Sequence, residues 1–305
     1  MSLASKRLLT KSPTGTPTPT QIWTLGTIPS SSSLIWTSLA YGSGIFVAIS
    51  STNIAAYSDD GITWTQTPLP SDVYWASVTY GGGRFVAVGG NFSSTDIAAY
   101  SEDGITWIQT TLPFVQSWWS VTHGNGRFVA VSVNSFRMAY SDNGINWVQS
   151  AETIPRTYTS VTYGEGRFVA VVDGDNAFMY SSNGIDWTQS TLPSRSRWAS
   201  VTYGGGRFVA VTGITSTRNI VAYSDDGISW TQTTLPSSVW RSLTYGEGRF
   251  VAVGGSTAAA YSTNSETWIS DTLPSSTWRS ITYGEGKFVA VGSSGSTSRV
   301  AYYVM

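Results

Sequence analysis

Few side chains in this chain could carry chemistry. It has no cysteine and one histidine, His123, which excludes thiolate nucleophiles, thiolate metal sites and histidine clusters for zinc or iron. Carboxylates, arginines, tyrosines and indoles remain. Paired carboxylates could hydrolyse glycosidic bonds, arginines could hold anions, and indole faces could stack on the apolar C–H faces of sugars. Seven aromatics occupy one recurring position: Trp36, Trp75, Trp118, Tyr158, Trp198, Trp240 and Trp278. The six tryptophans among them read either as packing between repeats or as a ring of sugar platforms. The residues that follow are Thr37, Ala76, Trp119, Thr159, Ala199, Arg241 and Arg279. Repeat packing does not demand an aromatic or a cation where other copies carry Thr or Ala, so Trp119, Arg241 and Arg279 are the better contact candidates.

The elements that position these residues follow from an internal repeat. A string of the form YGxGxFVAV places its Phe at Phe46, Phe85, Phe128, Phe168, Phe208, Phe250 and Phe288. A second, AYSxDGIxW, places its Trp at Trp64, Trp107, Trp147, Trp187, Trp230 and Trp268. Each unit predicts four short strands. In the second unit SVTYG alternates polar and apolar residues, Gly82-Gly83 turns it into RFVAVG, and IAAYS leads through Asp103-Gly104 into ITWIQ. Glycine in such turns accepts the positive φ of a tight hairpin. A Leu-Pro or Ile-Pro follows, and proline, with no donor for a ladder, is expected to end the sheet.

Seven such units predict an all-β chain: a seven-bladed β-propeller with four antiparallel strands per blade. The seventh unit stops at Ala301-Tyr302-Tyr303, one strand short, and Gln21-Ile22-Trp23-Thr24 matches the missing ITWT segment. The N-terminal strand is therefore expected to close the ring and remove an open sheet edge. The domain reading is a basic Thr/Pro-rich arm over residues 1–20 and the propeller over 21–305.

Loop lengths separate two faces. The spacing from marker aromatic to Phe is 10 residues in every unit, and from Tyr to Trp across the second hairpin it is 7 in six units. The other two connections vary, from 11 to 15 and from 10 to 13 residues. All irregularity thus falls on one face, where function on a rigid scaffold is expected. The uniform face carries six cations (Arg84, Arg127, Arg167, Arg207, Arg249, Lys287) against twelve acids. The variable face carries eight arginines against Asp72, Asp96, Glu152, Asp173, Asp175 and Asp271. The arm adds Lys6, Arg7 and Lys11, which suit docking to a partner.

The whole chain, 305 residues long, has a net charge of −1 and only 11% charged residues, with 47 Ser and 39 Thr in their place. That balance provides no field for nucleic acid or anionic lipid, and no apolar run is long enough to span a membrane. No signal peptide is read at the start, where a Leu-Leu pair is the only apolar run. No metal or cofactor is expected. The fourth-strand tryptophans read as core, the basic residues after the glycine turns as partners of the turn acids, and His123 as a packing substitute for Tyr.

The segments SDDGITW (Ser58 to Trp64), SEDGITW (Ser101 to Trp107) and SDDGISW (Ser224 to Trp230) resemble the Asp-box of sialidase-like propellers. In that family the Ser and Asp brace a hairpin turn and the Trp packs between strands. Asn143, Asn183 and Asn264 depart from the pattern, as does Ser265 in place of Gly, and the box usually has one more residue before its aromatic. Similar YSxDGxxW and YGxGRFVAVG arrays occur in phage tail and other virion proteins. The resemblance implies a non-enzymatic structural or adhesive propeller. Its expected place is a phage virion or, failing that, the cell surface or extracellular space. Its expected partners are other virion proteins or host-surface glycan, with the chain entering a larger assembly singly or as an oligomer. The alternatives are a free carbohydrate-binding lectin and a sialidase-like hydrolase. For the hydrolase, the family's arginine-bearing Ile-Pro motif is absent at both Thr153-Ile154-Pro155 and Thr27-Ile28-Pro29.

Overall fold

The computed structural model describes residues 22–29, 34–90, 94–133, 137–151, 154–213, 219–294 and 297–305. Every regular element among them is a β-strand. The strands form antiparallel, propeller-like sheets in which each unit runs outward in chain order, as in Trp36–Gly42, Ile45–Ser50, Ile54–Ser58 and Thr65–Pro68.

Hydrogen bonding joins these strands into six sheets, one of them seven-stranded, where the repeat predicts seven separate sheets. The cause is a single long strand, Ile108–Gly124, which serves as fourth strand of the second unit and first strand of the third. Leu-Pro does not end the sheet here. The ladder skips from Thr111 to Gln116, and Pro113 lies in the unpaired gap where its missing donor costs nothing. Pro193 lies in the same kind of gap within Thr188–Ser196, between the pairs Ala177↔Thr191 and Asp175↔Ser196.

At the other end of the chain, Thr24–Leu25 pairs with Thr297–Val304 (Thr24↔Tyr302, Leu25↔Ala301) and fills the outer place of the last sheet. Trp23 takes the fourth-strand role there, buried beside Tyr303 with Nε1 donating to Asp271 at 2.9 Å.

The core lies between neighbouring units rather than inside one. Each of seven apolar clusters joins Val or Ile from one unit's second strand to the marker aromatic and Phe of the next; one of them unites Val289 and Val291 with Trp36 and Phe46. Three details explain the repeated sequence. The glycine of each YG pair lies under the aromatic ring of the next unit: a Cβ on Gly164 would come 2.0 Å from Tyr203, and one on Gly284 would come 2.2 Å from Tyr41 of the first unit. His123 fills that role over Gly81, and burial lowers its pKa. A first-strand serine accepts from a backbone N–H of the next unit, from Val78 N–H to Ser38 (3.1 Å) round to Leu39 N–H to Ser280 (3.0 Å).

Candidate functional site

At the end of the molecule that holds the repeated turns, the Ser and the Asp or Asn of each turn satisfy one another and the turn's backbone N–H groups, while the Nε1 groups of Trp64, Trp107, Trp147, Trp187 and Trp230 are enclosed without a hydrogen-bond partner among the described residues. In the second unit, Asp103 Oδ1 accepts from Ile105 N–H (2.8 Å), Thr106 N–H (2.7 Å) and the Ser101 hydroxyl (2.9 Å), while Ser101 Oγ accepts from Gly104 N–H (2.8 Å). These donors hold the Asp103 carboxyl down at about 2, and the equivalent bonds do the same for Asp226, in each case against the opposing effect of burial. Asn143, Asn183 and Asn264 use Oδ1 for the same bonds, so the turn needs an acceptor and not a charge. Ser265 adopts the left-handed conformation in the glycine position, with φ of 60°.

The arginines after the glycine turns are consumed here too. Arg127 pairs with Asp142 (2.6 Å), donates to the Asn183 carbonyl of the next unit (2.6 Å) and lies over Tyr140. Arg207 repeats this with Asp225, Asn264 and Tyr223. Tyr41, Tyr203 and Tyr283 donate to Glu285, Glu165 and Glu247, and their phenols are pushed up to about 12. Each of these Tyr–carboxylate hydrogen bonds joins one unit to its neighbour.

The opposite end presents the singular residues. The six marker tryptophans are buried, at 0–1% exposure, with Tyr158 in the seventh place. Sugar stacking on Trp36, Trp75, Trp118, Trp198, Trp240 and Trp278 is therefore ruled out: both indole faces are spent on inter-unit packing. Trp75, Trp240 and Trp278 also donate Nε1 to a backbone carbonyl four residues earlier.

The residue after each marker has a different position. In every unit the register between first and second strands shifts at that point, so Thr37, Ala76, Trp119, Thr159, Ala199, Arg241 and Arg279 are the extra residues of β-bulges. A bulge re-aims its side chain. Thr37 and Thr159 use this to donate to the Trp75 and Trp198 carbonyls of the next unit (2.6 and 2.7 Å). Trp119 is half-buried at the same position.

Arg241 and Arg279 are half-buried, and the Nε of each is enclosed without a hydrogen-bond partner among the described residues. Burial lowers the pKa of Arg241, and the nearby Arg279 charge lowers it further. Tyr74 joins them from the second unit: its phenol is raised by burial, while Arg279 and Arg241 pull it the other way. Sequence reasoning missed Tyr74, although the signal was present. At the position before the marker the other units carry Ile35, Ser117, Thr157, Arg197, Val239 and Thr277, and only Tyr74 is aromatic.

A second basic region lies between the fourth and fifth units, around an open cavity of about 450 Å³ lined by Arg156, Asp173, Asp175 and Arg195. Its charges are compensated. Arg156 pairs with Asp175 (3.0 Å), Arg197 pairs with Asp173 (2.6 Å), and Arg195 Nε donates to the Gly174 carbonyl (2.8 Å). The arm residues Lys6, Arg7 and Lys11 lie outside the described residues, as do Glu152 and Arg218. Among the described residues no group of three or more His, Asp or Glu could hold a metal ion, and no helix is long and apolar enough to cross a membrane.

No protein-family model matches the chain, and no curated protein matches it. Solved structures do. Virginiamycin B lyase from Staphylococcus aureus superposes with a TM-score of 0.78 at 14% identity, covering 93% of this chain and 100% of that one. YCF48 bound to D1 peptide gives 0.72 at 18% identity, over 93% and 95% of the two chains. The computationally designed Ika8 protein gives 0.62 at 11% identity, over 92% and 99%. At these identities the likeness is one of fold, and that fold is a β-propeller repeat.

Proposed function

We propose that the chain is a seven-bladed β-propeller, closed by its N-terminal strand, that works as a non-enzymatic binding component of a larger particle of the phage-virion kind. In this reading the variable face meets a virion protein or host-surface glycan, and the basic arm anchors the chain. The observation that carries it is the asymmetry between the two ends. The Ser and the Asp or Asn of each repeated turn satisfy one another, while Arg241, Arg279 and Tyr74 gather at the variable end with no carboxylate paired to either arginine among the described residues. The contacts that run from the seventh unit back to the first, Gly284 under Tyr41 and Leu39 N–H to Ser280, support seven blades around one axis. Asp-box kinship is supported by the Ser101–Asp103 bracing and its copies.

A non-enzymatic role is supported by what surrounds the acids. Asp173 and Asp175 are held by arginines and Asp271 accepts from the Trp23 indole, so none of these three acids is free to serve in a hydrolytic carboxylate pair. That a propeller of similar fold binds a peptide, as YCF48 does, is consistent with a protein partner. The test is co-purification. The chain expressed with its native neighbours is expected in purified particles, and charge reversal at Arg241 and Arg279 is expected to deplete it there while reversal at Arg84 is not. Recovery solely as a soluble monomer, or turnover of any member of a fluorogenic glycoside panel, would overturn the proposal.

A further inference from the structure

At the variable end the Nε groups of Arg241, Arg279 and Arg299 are enclosed without a hydrogen-bond partner, and no carboxylate pairs with any of the three among the described residues; Arg241 and Arg279 are the two at bulge positions on adjacent units. Fifteen other side chains in the chain are Lys or Arg. Those on the repeated turns have acids, carbonyls or rings as partners, and Arg156 and Arg197 have Asp175 and Asp173. Arg241 and Arg279 stand on adjacent units at the bulge where four other units place Thr or Ala and the third places Trp119. They are close enough for the Arg279 charge to act on Arg241, and no acid pairs with either one among the described residues. Of the 18 acids in the chain, only Glu152 lies outside the described residues.

Enclosing two like charges with unpaired Nε groups is unfavourable in the chain by itself. A guanidinium presents a planar fork of donors whose natural complement is an oxyanion with two acceptor oxygens. Tyr74, brought over from the second unit, adds a hydroxyl that can donate to the same anion.

We propose that Arg241, Arg279 and Tyr74 form an oxyanion-binding site at the variable end of the first strands. Its ligand bears a carboxylate or a phosphate. The site deepens, and rests on, the assignment of the variable face as the binding face. It is proposed as a binding site: no carboxylate is paired with either guanidinium among the described residues. Arg156, Arg195 and Arg197 are excluded from the role because Asp173, Asp175 and the Gly174 carbonyl already take their donors.

The experiment is calorimetric titration of the full chain with inorganic phosphate, with citrate and, as a neutral control, with glucose, at constant ionic strength. Phosphate or citrate is expected to bind, glucose is not, and the stronger of the two anions identifies the ligand class. Arg241→Gln and Arg279→Gln are each expected to weaken that affinity at least tenfold, and Tyr74→Phe several-fold. Arg197→Gln should leave it unchanged. Absence of binding by both anions overturns the site, as does a loss as large in Arg197→Gln as in Arg241→Gln. Unchanged melting temperatures in the glutamine variants separate lost binding from lost folding. If the anion effect fails while particle association persists, the site falls and the assignment of the binding face stands.

Discussion

Arg127 and Arg241 belong to opposite ends of the molecule and meet opposite surroundings. Arg127 follows a repeated glycine turn, pairs with Asp142, bonds the Asn183 carbonyl of the next unit and covers the Tyr140 ring. Arg241 occupies a bulge that four other units fill with Thr or Ala, beside Arg279, with its Nε enclosed and unbonded. The difference follows from repetition. A side chain copied into every unit is copied together with its partners, so one local solution serves the whole ring. A side chain found in one or two units inherits no such partners: Arg156 and Arg197 find theirs in Asp175 and Asp173, whereas Arg241 and Arg279 pair with no carboxylate among the described residues.

The comparison can be broken first at the backbone. Gly164→Ala sets a Cβ against the Tyr203 ring and should cost about 3 kcal/mol. Gly174→Ala, on the variable side, meets nothing within 4 Å and bears only the penalty of its φ of 76°, about 1 kcal/mol. Urea denaturation of the two variants measures the contrast, and equal losses would mean that the ring-on-glycine contact is dispensable.

Side chains should divide in the same way. Ser101→Ala leaves Gly104 N–H without its acceptor and removes a donor to Asp103, for a loss of about 1–2 kcal/mol. Arg241→Gln removes a like-charge neighbour of Arg279 and should leave the melting temperature unchanged or slightly raised. A marked fall in Arg241→Gln would show that this arginine is structural, like those of the repeated turns.

The smallest effect concerns acid. Asp103 and Asp226 have folded pKa values of about 2, below the ordinary 3.8. A depressed carboxylate contributes stability above its unfolded pKa and loses it as pH falls toward its folded pKa. The contribution of these two turns should therefore be flat above about pH 5 and decline between about pH 4 and 2. Because Asn143 and Asn183 already make the same turn without charge, Asp103→Asn with Asp226→Asn should retain the fold and flatten that decline. Acid titration followed by tryptophan fluorescence reads the slope.

Much of this was legible in the residues. The spacing of Phe46, Phe85 and their copies shows the repeat, and the seventh unit's missing strand points to Trp23-Thr24. Alignment of the copies singles out Trp119, Arg241 and Arg279 as departures. The role of the marker tryptophans was not legible, because a ring of aromatics suits packing and stacking equally until its burial is known. Nor was the continuous strand Ile108–Gly124, since Pro113 marks a break in any local view and only the gap in the ladder shows where it is tolerated.

The sequence by itself determined the strands, the repeat, the turn chemistry and the positions where one unit differs from its siblings, because those depend on neighbours a few residues apart or on comparison between copies. The tertiary structure alone decided which departures meet. Tyr74, Arg241 and Arg279 come from the second, sixth and seventh units and sense one another's charge only because the chain curves back on itself. It also decided that the tryptophan ring is core while the next residue is turned away from that packing. The two differ by one position along a strand, and a bulge that no local sequence rule announces turns them in different directions.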